Sequence, residues 1–294
     1  MKKSLITIFF CVAGLMASRA QQADVLKSDA ISAESQEQYA DAARLFMEAH
    51  KAYQAENAVD TTCVYRAGMN YVKIEQFAEA VPLLEETLGL NYNVARASRL
   101  LADAYTGLKQ TDKAEAILLK GKELAPEDSI EFDKKLAYLY FNGAKYDKAA
   151  DTFRGVNAAV PGNKNYMYLY GFSLERVKKY DEAIAVFEAM QEQFPGDNRS
   201  KKMLGLTLFE KTDMANEKAV KQYENNKNAN LEDYVHTKNR LEAINQGYEK
   251  ARTLLEESLV EYPTDQLIIS SLYTLYKKQY KEDKAAQMKK RLQQ

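Results

Sequence analysis

The sequence predicts an all-α fold, a solenoid of stacked helix-turn-helix repeats, on three observations. Four of the five prolines, Pro126, Pro161, Pro195 and Pro263, stand 35, 34 and 68 residues apart, the last being two periods of 34. Twelve residues before each stands an alanine, Ala114, Ala149, Ala183 and Ala251, and eight before each an apolar side chain, Leu118, Phe153, Phe187 and Leu255. The same grammar recurs without a proline at Phe77, Ala80 and Leu84, and at Tyr39, Ala42 and Phe46. A period of this length holding two helical patterns cannot bury its apolar faces alone, whereas stacked copies can.

The stretch from Lys164 to Pro195 shows one unit in full. Asn165 to Val177 and Asp181 to Gln193 each carry apolar residues at helical spacing, joined by Lys178, Lys179 and Tyr180. Gly171 and Ala183 supply the small residues that crossing helices need, with Tyr170, Leu174, Tyr180 and Phe187 around them. Phe194, Pro195 and Gly196 end the second helix, because proline lacks an amide hydrogen and clashes with the preceding turn.

The spacing of Leu136, Ala137, Tyr140, Tyr146, Ala149, Phe153 and Pro161 resembles the tetratricopeptide repeat. Gly68 with Tyr71, Ala102 with Tyr105, Ala137 with Tyr140, Gly171 with Leu174 and Gly205 with Leu208 fill its first-helix positions. The resemblance covers nearly all of the chain after residue 20, with five good units between about 61 and 226. It implies a right-handed α-solenoid of TPR-like repeats, and a binding surface more than any particular activity.

In chain order, Met1, Lys2 and Lys3 precede an apolar run from Leu5 to Met16, and Ser18, Arg19 and Ala20 follow with small residues where a signal peptidase reads. Residues 1–20 therefore read as a secretory signal peptide, the run being short for a membrane span. An uncleaved anchor is the alternative. The mature protein is expected in the periplasm or at the cell envelope of a bacterium. After cleavage 38 basic and 42 acidic side chains remain, a balance that gives no case for nucleic acid. Cys63 is then the single cysteine, which excludes an internal disulfide and suits a buried small hydrophobe.

Residues 21–56 read as an atypical N-terminal repeat, with Leu26, Ala30 and Ala33 on its first helix. Residues 57–210 hold the regular TPR-like repeats, where Pro82 is expected to bend its helix or delay its start. Past Phe209 the regularity slips, with Ala219 two residues late and an Asn-rich link at Asn225 to Asn230, so 211–246 read as an irregular repeat or joint. Residues 247–294 hold C-terminal repeats and a charged capping helix, whose Lys289, Lys290 and Arg291 suit a solvated helix end.

No nucleophile elbow, zinc-binding helix or phosphate-binding loop occurs, and His50 and His236 lack partners at ligand spacing. The sequence therefore proposes no enzyme, cofactor or metal. The resemblance implies instead that first helices line a concave groove. Mapped onto this chain, the groove positions give Tyr65, Met69, Arg96, Arg99, Lys134, Tyr138, Phe141, Tyr168, Phe172, Arg176, Leu206 and Phe209. Aromatic anchors beside arginines are typical of interfaces, so the expected role is an extracytoplasmic scaffold holding a protein or peptide partner, such as a component of an envelope complex, with membrane contact at most peripheral. The family's carboxylate clamp is not reproduced: Lys134 fits its first slot, but Tyr138 and Leu169 stand where asparagines belong. Glycan binding by the groove aromatics is a second reading, and a hydrolase site within 211–246 a third.

Overall fold

The computed structural model describes residues 21–293, and every regular element among them is helical. The fold class is the α-solenoid that the sequence predicts. Residues 1–20, the expected signal peptide, lie outside the described residues. The chain divides into two compact units, Met1–Leu139 and Tyr140–Gln294.

In the first unit, helix α1 (21–35) pairs with α2 (Tyr39–Ala55), α3 (Thr61–Lys73) with α4 (Phe77–Gly89), and α5 (Val94–Gly107) with α6 (Thr111–Leu124). A one-turn 3-10 helix, Pro126–Asp128, leads into α7 (Ser129–Asn142), within which the units divide. The repeat alanines Ala42, Ala80 and Ala114 are wholly buried, as are Phe46 and Leu84. Small residues let the helices close on these large ones: a Cβ on Gly68 would lie 2.9 Å from Leu84 Cγ. Each large side chain so buried contributes about 1.5–3 kcal/mol. Pro82 sits inside α4 without delaying it, since the helix starts at Phe77. Cys63 is fully buried, and burial pushes its thiol up to about 12, so it is a packing residue.

The second unit continues with α8 (Tyr146–Ala159), α9 (Lys164–Arg176) and α10 (Tyr180–Gln193). Two long helices follow, α11 (Asn198–Glu224) and α12 (Leu231–Glu261), then α13 (Gln266–Lys278) and α14 (Glu282–Leu292). Ala149, Ala183 and Ala251 again have no exposure, nor have Phe153, Phe187 and Leu255. A Cβ on Gly171 would stand 2.8 Å from Phe187.

Two devices close the helix junctions, a positive-φ residue at helix ends, used between repeats at Asn57 and Asn91 as well as within them, and a side-chain cap at helix starts. Between the helices of a repeat a single residue takes a positive φ, at Glu75, Lys109, Ala144, Lys178 and Tyr280 among others. The next amide then donates to the carbonyl five residues earlier, as in Gln76 to Tyr71 (2.9 Å), Gln110 to Tyr105 (2.8 Å) and Lys179 to Leu174 (2.9 Å). This closure satisfies carbonyls that the helix end would otherwise leave unpaired. Between repeats, the side chains of Asp60, Asn163, Asp197 and Asp265 accept from first-turn amides of α3, α9, α11 and α13.

The long helices revise the expected register. Gly205 lies against Leu255, whose Cγ would be 3.0 Å from an added Cβ, so the start of α11 pairs with the end of α12 and not with the segment around Ala219. One repeat therefore consists of 198–210 and 248–261, interrupted by a helical hairpin at 211–247. Close approach carries the helices past the usual turn: Gly247 faces Thr212, Tyr248 donates to Asp213 Oδ1 (2.6 Å) and Arg240 to Gln222 Oε1 (2.7 Å). At the far end Asn230 and Asp233 form a reciprocal capping box.

Candidate functional site

The expected groove residues of the first unit have unequal fates. Tyr65 and Met69 are buried, 5% and 8% exposed, and form a small cluster with Ala97. The link into α5 lays Tyr92 edge-on against Tyr65, with ring centroids 5.7 Å apart, so these two side chains offer no free surface. This corrects the sequence expectation for both. Arg96 remains exposed. Arg99 is half-buried, its guanidinium 5.4 Å from the Phe132 ring centre and Nη1 3.4 Å from Asp128 Oδ1. Lys134 is half-buried with Nζ 2.6 Å from Glu131 Oε1, while Tyr138 is 39% exposed.

In the second unit the expected residues meet. Phe172 of α9 lies 5.5 Å from Phe141, 6.0 Å from Tyr146 and 6.3 Å from Tyr168, measured between ring centres. All four rings are half-buried. Helical spacing explains the convergence: Tyr168 and Phe172 stand four apart on α9, and the short α7–α8 turn returns Tyr146 beside Phe141 (5.7 Å). Two cations flank the cluster. The exposed Arg176 sits 5.8 Å from the Tyr146 ring centre and has no carboxylate within 4 Å among the described residues, while Arg199 lies 5.0 Å from that of Tyr168. Leu206 packs with this core and with the next one, whereas Phe209 belongs to the next alone, 6.4 Å from Tyr248.

Arg199 and Tyr146 border this candidate site and were not among the expected groove residues. Arg199 stands seven residues before Leu206, on the same helix, a position the mapping could have reached. Tyr146 reads in sequence as a core aromatic of the repeat.

An acidic pair borders the cluster. Glu175, next to Arg176, is 7% exposed, and burial together with the nearby charge of Glu210 raises its carboxyl to about 7. Tyr180 donates to Glu210 Oε2 (3.1 Å). Among the described residues no three His, Cys, Asp or Glu side chains gather to hold a metal ion, and no helix is long and apolar enough to cross a membrane. The chemistry on offer is recognition: half-exposed rings beside an unpaired guanidinium.

Comparison with known proteins bears on the fold. A family model described as Tetratricopeptide repeat matches residues 73–139, and one described as Anaphase-promoting complex, cyclosome, subunit 3 matches residues 127–190. No curated protein matches the chain. Among solved structures, the C-terminal part of a TPR repeat-containing protein from Cytophaga hutchinsonii is 12% identical, covers 93% of each chain and has a TM-score of 0.58. MamA is 18% identical over 58% of this chain and 91% of its own, with a TM-score of 0.51. YrrB, described as a TPR protein with an unusual peptide-binding site, is 20% identical over 60% and 88%, with a TM-score of 0.50. At such identities the likeness is one of fold.

Proposed function

We propose, from the premise that this chain is a tetratricopeptide-repeat protein, that it is a non-enzymatic scaffold binding a protein or peptide segment on the inner helices of its repeats. The observation that carries this reading is the cluster of Phe141, Tyr146, Tyr168 and Phe172 with Arg176 unpaired at its edge. Half-exposed rings supply contact area at low entropic cost, and a guanidinium without a carboxylate partner can take one from the ligand. Such a surface is preformed, so little ordering energy is lost on binding. The solved YrrB structure, described as having a peptide-binding site, supports the class of ligand by analogy of fold.

The scaffold is further proposed to act outside the cytoplasm, in the periplasm or at the envelope, on the strength of the basic start, apolar run and small-residue exit of residues 1–20. Fractionation of cells expressing the full chain tests this, and recovery of an unprocessed chain in the cytosol would end it.

Binding is tested by selecting peptides from a displayed library on the mature protein, then titrating them against variants. Arg176→Glu should weaken selected acidic peptides by about tenfold or more, whereas Leu231→Ser, on the inserted hairpin, should leave them unchanged. Equal binding by Arg176→Glu would remove the cluster as the site.

A further inference from the structure

The hairpin at 211–247 lies outside the repeat pattern, and with the turn joining α13 to α14 it walls a cleft of about 880 Å³. We propose that this cleft binds a neutral saccharide. Four tyrosines line it, of which Tyr248 is buried and spends its hydroxyl on Asp213, leaving three with free hydroxyls. Tyr223 and Tyr234 meet edge to face at 6.3 Å, Tyr234 being 52% exposed, and Tyr280 is 88% exposed at the positive-φ position of the opposite turn. Their hydroxyls have no hydrogen-bond partner among the described residues, and the same holds for the side chains of Asn216, Thr237 and Asn245 on the same walls.

The lysines of the cleft are already matched. Lys278 pairs with Asp213, Lys281 Nζ lies 3.8 Å from Glu249 Oε1, and Lys238 Nζ lies 4.0 Å from Glu242 Oε1. An anionic ligand would find no spare cation there. What stays free is aromatic surface together with neutral donors and acceptors, and the exposed Glu224 carboxylate, which can only accept from a hydroxyl. A sugar ring fits that combination, laying its C–H face on a tyrosine and turning its hydroxyls to carboxamides. The volume lies in the usual range for ligand sites, which suits a short oligosaccharide. Tyrosine serves both halves of the contact, since its ring is apolar and its hydroxyl polar.

Calorimetric titration of the mature chain with maltohexaose, cellohexaose, xylohexaose and mannohexaose tests the proposal. At least one should bind saturably, and the double variant Tyr234→Ala, Tyr280→Ala should weaken it by about tenfold or more at an unchanged melting temperature. Arg176→Glu should leave saccharide affinity as it is, which separates this cleft from the ring cluster. No binding of any of the four, or binding indifferent to the two tyrosines, overturns the assignment. A library-selected peptide that needs both tyrosines while no sugar binds would make the cleft a peptide site and overturn it equally.

Discussion

The pair α9 with α10 and the pair α11 with α12 use one contact to opposite ends. In the first, Gly171 meets Phe187 and the chain turns after Arg176. In the second, Gly205 meets Leu255 in the same way, but α11 runs on to Glu224 before the chain comes back. The contact that defines a repeat is thus local to the crossing and does not dictate where the helices stop. A repeat can carry an insertion at its turn and keep its core, provided the two halves still meet small against large.

Deep truncation at the crossing gives the largest effects and tests this equivalence. Phe187→Ala should cost about 3–5 kcal/mol and Leu255→Ala about 2–5 kcal/mol, both read as loss of midpoint in urea unfolding. A cost for Leu255→Ala below that of a surface change would show that the interrupted repeat is not packed like its neighbour. Enlarging the small partner should cost less, about 1–3 kcal/mol for Ala183→Leu or Ala149→Leu, because both alanines are wholly buried. Thermal unfolding of these variants matching the parent would break the register.

The repeat was legible because its signal is a coincidence of residue types: Ala183 with Phe187 and Pro195, Ala251 with Leu255 and Pro263. The irregular segment at 211–246 stood out as well, but the pairing across it did not, because its helices obey the same local rules. Ala219 is buried and stands near where a repeat alanine belongs, so periodicity alone cannot tell it from Ala251, the true partner far down the chain. The expected groove residues Phe172 and Phe141 come together because the repeat itself sets their neighbours. The mapping failed at Tyr65 and Met69, whose cover comes from Tyr92, a link residue outside the pattern.

The boundary between the two pairs carries a pH dependence. Glu175 lies in the last turn of α9 and Glu210 is the last repeat residue before the insertion; burial and Glu210 raise the Glu175 carboxyl to about 7, while Arg176 opposes them. A carboxyl raised in the folded state holds its proton longer than in the unfolded chain. Stability should therefore be fully present below the unfolded value of about 4.5 and fall as pH rises through about 7. Glu175→Gln should abolish that decline, gaining on the order of 2 kcal/mol at pH 8 and little at pH 4. Parallel pH–stability curves for parent and variant would sink this reading. Asp60, Asp197 and Asp265 act in the opposite sense: burial works against them, but hydrogen bonds from Lys27, Lys164 and Lys202 hold each below the ordinary range, and their contribution is lost as pH falls through those lowered values.

The smallest predicted effect separates the two kinds of turn. Ala144 takes φ 53 between α7 and α8, although Gly143 stands beside it, and its neighbour Lys145 donates to the Tyr140 carbonyl at 2.9 Å. A Cβ in that left-handed region costs about 1–2 kcal/mol. Ala144→Gly should recover part of this, about 1 kcal/mol after the entropy that glycine adds to the unfolded chain. At the tip of the insertion α11 ends differently, with Asn225 at φ −79 in the right-handed region. Asn225→Gly relieves nothing there and adds only unfolded-state entropy, so it should be neutral or cost up to about 1 kcal/mol. Opposite shifts of melting temperature for the two variants would show that the inserted hairpin dispenses with the turn the repeats share; a rise for both would mean that its tip adopts that turn in solution.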